Sequence, residues 1–365
     1  MQKKTEKRRP TIKEVAKLAG VSFKTVARVA SGESAVSENM RHNVLKAMKQ
    51  LGYSPNVSAR QLRSRRSYLI AFAGVEPTDE AAAAMYQARA QPGALRGCSK
   101  VGYHLIFEQV APGQEAEIVS RLDLLRVDGV VVTPPLSQEG AFVNALKAKK
   151  LRYVLISTDI HDGGIPIVGT NDRLAAQQMT KHLIKLGHRK IGLIKGARHF
   201  AARERLLGFI DALDEAGLAR RSEYVVSGDF SFRSGELGAK KLLTLADRPT
   251  AIFACNDEMA LGTMVAAARL GIGVPDSLSV AGFDDSFSAT TVWPQLTTVR
   301  QPLSEMAELA VDMLLDEKRF NEAPEVLMNS KIIKRGSTAR APAVVGATRD
   351  EAGNAPASCL QSGTS

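Results

Sequence analysis

The sequence predicts an α/β protein: an N-terminal helix-turn-helix module followed by a core of two doubly wound α/β subdomains. Three observations carry that prediction. "TIKEVAKLAGVSFKTVARVASG" (11–32) reads as two short amphipathic helices around a glycine turn. From about Tyr68 the pattern changes to short apolar strands alternating with helical stretches, the signature of parallel sheets with helices on both faces. The alternation runs for about 270 residues, to about Ser337, which suits two subdomains better than one.

In order along the chain, Thr11 with Glu14 three residues on forms a capping-box start. Ile12, Val15, Ala16 and Ala19 then recur at helical spacing until Gly20 breaks the run. Ser22 caps the second helix. Its Val26, Val29 and Ala30 fall on one face while Phe23, Lys24 and Arg28 point elsewhere, the two cations one turn apart. Ser37 caps a third helix whose apolar stripe is Met40, Val44, Ala47, Met48 and Leu51, ending at Gly52. "YSPNVSARQLRSRRS" (53–67) follows, with Pro55 at a helix start and Ala59 and Leu62 on one side of a segment too short to be a stable helix alone. Beyond it, "YLIAFAGV", "YHLIFEQV", "DGVVVT", "RYVLIST", "KIGLIKG", "YVVSGDF", "AIFACND" and "LSVAGFD" read as strands, and stretches such as "LAAQQMTKHLIKLG" and "ARERLLGFIDALDEAG" as helices. The end, "STARAPAVVGATRDEAGNAPASCLQSGTS", is small, polar and Pro/Gly-rich and reads as disordered.

These boundaries divide the chain into residues 1–67, with a hinge helix at about 55–64, a core at 68–337 and a disordered tail at 338–365. The core's subdomains are expected at about 68–171 plus 300–325 and 172–299 plus 326–337.

Charge is polarised along the chain. Residues 1–67 hold 16 Lys+Arg and 4 Asp+Glu, a net of +12. The whole chain has 49 and 38, so the remainder carries 33 (49 less 16) and 34 (38 less 4), a net of −1. A solvated basic face is the bland explanation. Such an excess beside a helix-turn-helix pattern instead points to a polyanion, and to double-stranded DNA in particular.

The start, "MQKKTEKRRP", has no apolar run behind its charges, and no stretch is long and apolar enough to span a bilayer, so a cytoplasmic protein without a membrane partner is expected. Cys98, Cys255 and Cys359 are far apart and odd in number, suiting a reducing compartment and offering no metal-ligand spacing. No phosphate-cradling Gly-rich loop, nucleophile elbow or zinc-helix motif is present. His188 in "LGHRK" follows a helix-ending glycine and reads as structural. Adjacent Asp284 and Asp285 point apart if they end a strand, which argues against acid/base chemistry. No enzyme, catalytic residue, cofactor or metal is therefore expected.

The order and spacing of "TIKEVAKLAGVSFKTVARV", "VSENMRHNVLKAMKQLGYSPNVSARQLRS", "HLIKLGHRKIGLIKG", "ARERLLGF", "PTAIFACNDEMALG", "GIGVPDSLSVAGFDDS" and "PQLTTVRQP" resemble the LacI/GalR family of bacterial transcriptional regulators, over roughly residues 11–338. The resemblance implies a homodimeric repressor with a periplasmic-binding-protein-like core, a pseudo-palindromic operator and a small effector, a sugar first of all. Phe23, Lys24 and Arg28 would meet base edges in the major groove, where Arg and Lys match the guanine acceptors. A core position is the alternative for Phe23. Ser22, Thr25 and Asn56 would cap helices and contact phosphates. "NVSARQL", with Ala59 and Leu62, would be the hinge helix, Leu62 acting as a minor-groove wedge.

For the effector the resemblance implies Arg205, Asn256 and Asp284, together with Phe230, Asp172 and Gln301. Planar donors and acceptors with an aromatic face suit a sugar ring. The bland alternatives are that Asp284 and Asp285 cap a turn and that Arg205 pairs with Asp211 or Glu204 on a helix surface. The stretch 75–100 departs from the family: Tyr86 aligns with a pocket aromatic, but Pro92 should interrupt the helix that carries it. An unusual effector, a co-repressor in place of an inducer, and a solute-binding module with a basic tail remain as alternatives.

Overall fold

The computed structural model describes residues 10–30, 36–53, 66–76, 82–160, 164–197, 199–322 and 325–342. Helices α1 (Ile12–Ala19), α2 (Phe23–Ala30) and α3 (Glu38–Leu51) form the N-terminal module. Thr11 and Glu14 close the capping box on α1, and Gly20 ends it with φ of 65°. Ser22 Oγ accepts from Thr25 N at 3.1 Å to start α2, and Ser37 caps α3. One small core of Val15, Ala16, Val26, Val29, Val44, Ala47 and Met48 joins the three helices. Met40, expected in the apolar stripe, sits in the first turn of α3 and is 48% exposed. Asn56, Ala59 and Leu62, and with them the hinge-helix expectation, lie outside the described residues.

The core contains β1 (Leu69–Val75), α4 (Ala82–Lys100), β2 (His104–Val110), α5 (Glu115–Leu124), β3 (Gly129–Val132), α6 (Gly140–Ala148), β4 (Tyr153–Ile156) and β5 (Ile167–Thr170). The chain then enters a second unit: α7 (Asp172–Lys185), β6 (Ile191–Lys195), α8 (Phe200–Glu215), β7 (Val225–Ser227), α9 (Phe232–Leu243), β8 (Ala251–Ala254), α10 (Asp257–Arg269), β9 (Ser279–Ala281) and α11 (Ser288–Thr291). β10 (Thr298–Arg300), α12 (Leu303–Leu315), α13 (Glu317–Glu322), β11 (Glu325–Met328) and β12 (Lys331–Ile333) complete it.

Two parallel sheets result, ordered β11-β5-β4-β3-β1-β2 and β7-β6-β8-β9, with a β10-β12 antiparallel pair beside them. Short runs such as Gly129–Val132 and Ala251–Ala254 are buried at every position, as sheets covered on both faces require. The chain crosses between the units three times, after β5, after β10 and after β11. The last crossing is later than expected: Glu325–Met328 pairs with Ile167–Thr170 in the first sheet and so covers an otherwise open edge of β5. All eight quoted strands are present, whereas β5, β10, β11 and β12, each of three or four residues, were not anticipated.

Two further expectations are corrected. Pro92 does not interrupt α4, which runs unbroken from Ala82 to Lys100. The carbonyl that loses its helical partner is that of Ala88, on the exposed side, where water can replace the missing N–H. On the opposite side a Cβ at Gly93 would stand 1.7 Å from the Ser304 carbonyl oxygen, so α4 and α12 meet backbone to backbone. That close packing, with Ala90, Ala94 and Cys98 buried, offsets the cost of the proline. Residues 338–342, expected in the disordered tail, pack on the core, and the rest of that expectation lies outside the described residues. Thr338 Oγ1 lies 2.9 Å from Thr297 Oγ1, Ala339 N donates to Ser279 Oγ at 3.0 Å, and Ala341 N donates to the Leu186 carbonyl at 2.8 Å.

His188 is structural, as its position after the helix-ending glycine suggests. It is fully buried, with Nδ1 2.9 Å from Thr250 Oγ1 and Nε2 3.0 Å from Ser279 Oγ and 3.1 Å from the Ala339 carbonyl. Burial holds its pKa below the ordinary 6.5. The unfolded chain therefore binds a proton that the fold refuses as pH falls below about 6.5, and stability drops there. Thermal melts of wild type should lose more stability between about pH 7 and pH 5 than melts of His188→Gln; equal slopes would remove His188 from this linkage.

Candidate functional site

Parallel strands place the loops after their carboxyl ends on one side of each sheet. The two sets of loops face each other across a cavity of about 220 Å³. Tyr86 comes from α4, Pro134, Pro135 and Gln138 from the loop after β3, Ser157 from the end of β4, and Asp172 from the crossing after β5. From the second sheet come His199 after β6, Asp229, Phe230 and Ser231 after β7, Asn256 after β8 and Asp284 after β9. Arg205 reaches in from α8 and Gln301 from the crossing after β10.

All seven residues named from the sequence, Tyr86, Asp172, Arg205, Phe230, Asn256, Asp284 and Gln301, therefore line one cavity. Neither bland alternative for Arg205 holds: Asp211 pairs with Arg173 and Glu204 with Arg203. Arg205 is instead buried, its Nη2 3.6 Å from Asp172 Oδ1, its Nη1 donating to the Cys255 carbonyl at 2.5 Å, and its guanidinium 3.7 Å from the centre of the Phe283 ring. Among the described residues its Nε has no hydrogen-bond partner. Asp284 Oδ1 accepts from Gln301 Nε2 at 2.6 Å. Asp285 turns the other way, to Arg300 and Arg335, each at 2.5 Å. Asn256 caps α10 through Oδ1 to Met259 N at 3.0 Å and donates from Nδ2 to the Phe230 carbonyl at 2.8 Å. Tyr86 OH lies 3.2 Å from Ser157 Oγ.

Burial dominates the electrostatics. It pushes the carboxyls of Asp172 and Asp284 up, with the Arg205 guanidinium pulling both back down. Burial, reinforced by the charge of Asp284, also pushes up Asp257, which lies beneath the site and accepts from Thr298 Oγ1 at 2.5 Å and Ser286 N at 2.7 Å. The His199 pKa is held below its ordinary value by burial. Its ring stacks on Phe230 with centroids 6.2 Å apart. A Cβ at Gly196 would collide with the Phe230 ring at 2.0 Å, so only glycine lets that ring lie over the cleft. Phe230, Ser157 and Asp284 have φ of 74°, 50° and 120°, left-handed backbone that non-glycine residues adopt under constraint. For Asp284 the constraint includes Arg89 of α4, which donates to its carbonyl oxygen.

At the other end of the chain, α2 buries Val26 and Val29 and presents Phe23, Lys24 and Arg28 outward. Phe23 is 47% exposed, which removes the core alternative for it. Ser22 and Thr25 share the N-terminal cap, their hydroxyls 2.9 Å apart. Among the described residues no helix is long and apolar enough to cross a membrane. Gln138, Ser157, His199 and Asp229 were missed by sequence reasoning. For Ser157 and Asp229 the signal was the rule just applied, that residues immediately after strand ends line the cleft; Gln138 and His199 stand farther along their loops.

A cation-bearing helix-turn-helix module joined to two facing α/β units defines a transcriptional regulator with a ligand-sized cleft. The sequence model of bacterial regulatory proteins of the lacI family matches residues 11–56, and that of the periplasmic binding protein-like domain matches residues 180–338. The ribose operon repressor of Haemophilus influenzae is 34% identical over 317 residues, which are 86% of this chain and 93% of the relative. The probable HTH-type transcriptional repressor ExuR of Bacillus subtilis is 30% identical over 333 residues, 90% of this chain and 98% of the relative. Among solved structures, the lac repressor dimer bound to operator and the anti-inducer ONPF superposes with a TM-score of 0.72 at 27% identity, over 91% of this chain and 100% of that one. A transcriptional regulator CelR–cellobiose complex gives 0.69 at 29% identity, over 90% and 100%. The chain belongs to the LacI family of DNA-binding transcriptional regulators; it is not an enzyme.

With Lys24 and Arg28 displayed on α2, Arg28→Ala should cost about 1–3 kcal/mol at its own base pair and relax the preference there. Binding-site selection on wild type and variant measures this. An unchanged base preference would assign Arg28 to the DNA backbone instead.

Proposed function

We propose that this regulator is a cytoplasmic repressor that binds a pseudo-palindromic operator as a homodimer and is released by a small sugar held in the interdomain cleft. One observation carries the effector reading: the seven residues, scattered from Tyr86 to Gln301, that the family resemblance implies line a single cavity. Asp172, Asp284, Asn256 and Gln301 can pair adjacent hydroxyls, and Phe230 and Tyr86 supply apolar faces for a ring. At about 220 Å³ the cavity lies below the roughly 300–1,000 Å³ of pockets for drug-sized ligands, which suits one sugar ring. Relatives support the reading through the ribose of one repressor's operon and the cellobiose of the CelR complex.

The DNA reading rests on the +12 net charge of residues 1–67 and on Phe23, Lys24 and Arg28, with Ser22 and Thr25 at the cap. Homodimerisation is supported by an exposed apolar groove on the second subdomain, where Trp293 is 89% and Phe232 39% exposed beside Leu261 and Val292. The solved lac repressor relative is described as a dimer.

Two outcomes are expected. Operator affinity should fall with salt with a log–log slope of roughly −5 or steeper, as six or more neutralised phosphates require; salt-independent binding would refute the DNA reading. A thermal-shift screen of monosaccharides should identify a stabilising ligand whose addition weakens operator binding in fluorescence anisotropy, and linkage makes the effect reciprocal. Arg205→Ala and Asp284→Ala should each abolish that binding by leaving buried polar groups unpaired, with operator affinity of the ligand-free protein nearly unchanged. Full ligand affinity in both variants would place the effector site elsewhere.

A further inference from the structure

The helix that carries Arg205 is not capped by its own sequence. His199, at the N-cap of α8, makes no side-chain bond to the first turn, and that turn contains no acidic residue. A helix start leaves backbone N–H groups without internal partners. Here one acceptor comes from the other subdomain: Gln138 Oε1, in the loop after β3, accepts from Phe200 N at 3.1 Å across the cleft. The same amide donates from Nε2 to the Ser157 carbonyl at 3.0 Å. Both ends of the Gln138 side chain are thereby engaged, one within its own subdomain and one across the gap.

The loop that presents Gln138 is rigid on its own side. Ser137 Oγ donates to the Ile156 carbonyl at 2.7 Å, Thr158 Oγ1 donates to the Ser137 carbonyl at 2.7 Å, and Thr133 Oγ1 donates to the Ala73 carbonyl at 3.0 Å. These bonds fix the turn at Leu136–Gln138 to the ends of β1 and β4. On the far side α8 is a continuous helix, with Phe200 at its start and Arg205 five residues on. Placing the first N–H of α8 therefore places the Arg205 guanidinium relative to Tyr86 and Ser157.

We propose that Gln138 is a positioning residue: by capping α8 from the opposite subdomain it latches the cleft closed and sets where Arg205 stands. The bond joins protein atoms alone, so it acts with or without an effector. A ligand that needs the closed form is spared part of the cost of closing, and losing the latch reduces the population competent to bind it. That regulatory consequence rests on the effector reading above. The latch does not.

The test is hydrogen exchange by mass spectrometry on the full chain without added ligand, comparing wild type, Gln138→Leu and Gln138→Glu. Leucine keeps the bulk and can neither accept nor donate. Glutamate keeps the acceptor for Phe200 N, favoured at the positive end of a helix, and loses the donor to Ser157. In Gln138→Leu, peptides spanning residues 199–206 should exchange roughly fivefold faster, the effect of losing one capping bond, while β6 and β8 stay at wild-type rates. Gln138→Glu should restore protection over 199–206. Unchanged exchange in Gln138→Leu would overturn the proposal. So would a Gln138→Glu that exchanges like Gln138→Leu, which would assign the residue to the Ser157 loop alone. Faster exchange throughout the second subdomain would also refute it by showing a general loss of stability.

Discussion

Parallel strand pairing is the constraint from which the rest of this molecule follows. Each parallel strand must be reached by a crossover, so helices cover both faces and every strand in a sheet ends on the same side. Two sheets built this way, joined by three crossings after β5, β10 and β11, bring two sets of strand ends face to face. The cleft lies where these ends meet, and its residues come from stretches of sequence that share no local motif. In each sheet it lies beside the point where strand order reverses, between β1 and β3 in one and between β6 and β8 in the other. Two of the crossings themselves supply lining residues, Asp172 and Gln301. A change in the angle between the subdomains therefore acts directly on the residues that face a ligand.

Burying charge in such a cleft is costly, and the surrounding contacts show how the cost is met. Arg205 is set between Asp172 and the face of Phe283, with the Cys255 carbonyl on one Nη. A pair like this contributes little net stability, because desolvation consumes most of the Coulombic gain. What it provides is a fixed orientation, and among the described residues its Nε has no acceptor. Three residues with left-handed backbone lie at the same place. Ser157, Phe230 and Asp284 all hold left-handed backbone, and neighbouring side chains secure each: Gln138 on the Ser157 carbonyl, Asn256 on the Phe230 carbonyl and Arg89 on the Asp284 carbonyl. Strained residues clustered in a cavity and held by neighbouring side chains are the mark of a preorganised site.

The sequence made the helix-turn-helix and the eight apolar strands legible, because each depends on local periodicity, and the seven cavity residues became legible only through the resemblance to the family. Phe23 stands exposed because the apolar face of α2 is complete without it, in Val26 and Val29. The failures have physical causes too. β10, β11 and β12 are short edge or crossing strands whose pairing is decided by an open neighbour rather than by their own composition. Pro92 was read from its local penalty. The compensation comes from Gly93 and Gly97, which let α12 approach to backbone contact some 200 residues away in sequence. Gln138 carried no sign of its role, since a cross-cleft cap requires knowing that the unfilled start of α8 lies opposite the loop after β3.

The same geometry shows how the cleft connects to the DNA-binding end. Where the chain enters the core, the Asp128 carboxylate accepts from Ser67 N at 3.1 Å and Tyr68 N at 2.8 Å. Arg66 Nη1 donates to Tyr103 OH at 3.4 Å, and Tyr68 is held at a φ of 58°. Asp128 immediately precedes β3, and the turn bearing Gln138 follows that strand. One short, fully buried strand therefore has the entry of the DNA-binding segment at one end and the wall of the cleft at the other. β1 runs alongside in parallel register, from Leu69 next to the entry to Val75, whose carbonyl accepts from Gln87 one residue beyond Tyr86. Close-packed strands transmit displacement rather than absorbing it. Strands β1 and β3 thus form a continuous hydrogen-bonded connection between the cleft wall and Ser67 and Tyr68, the first residues of the core behind the DNA-binding segment.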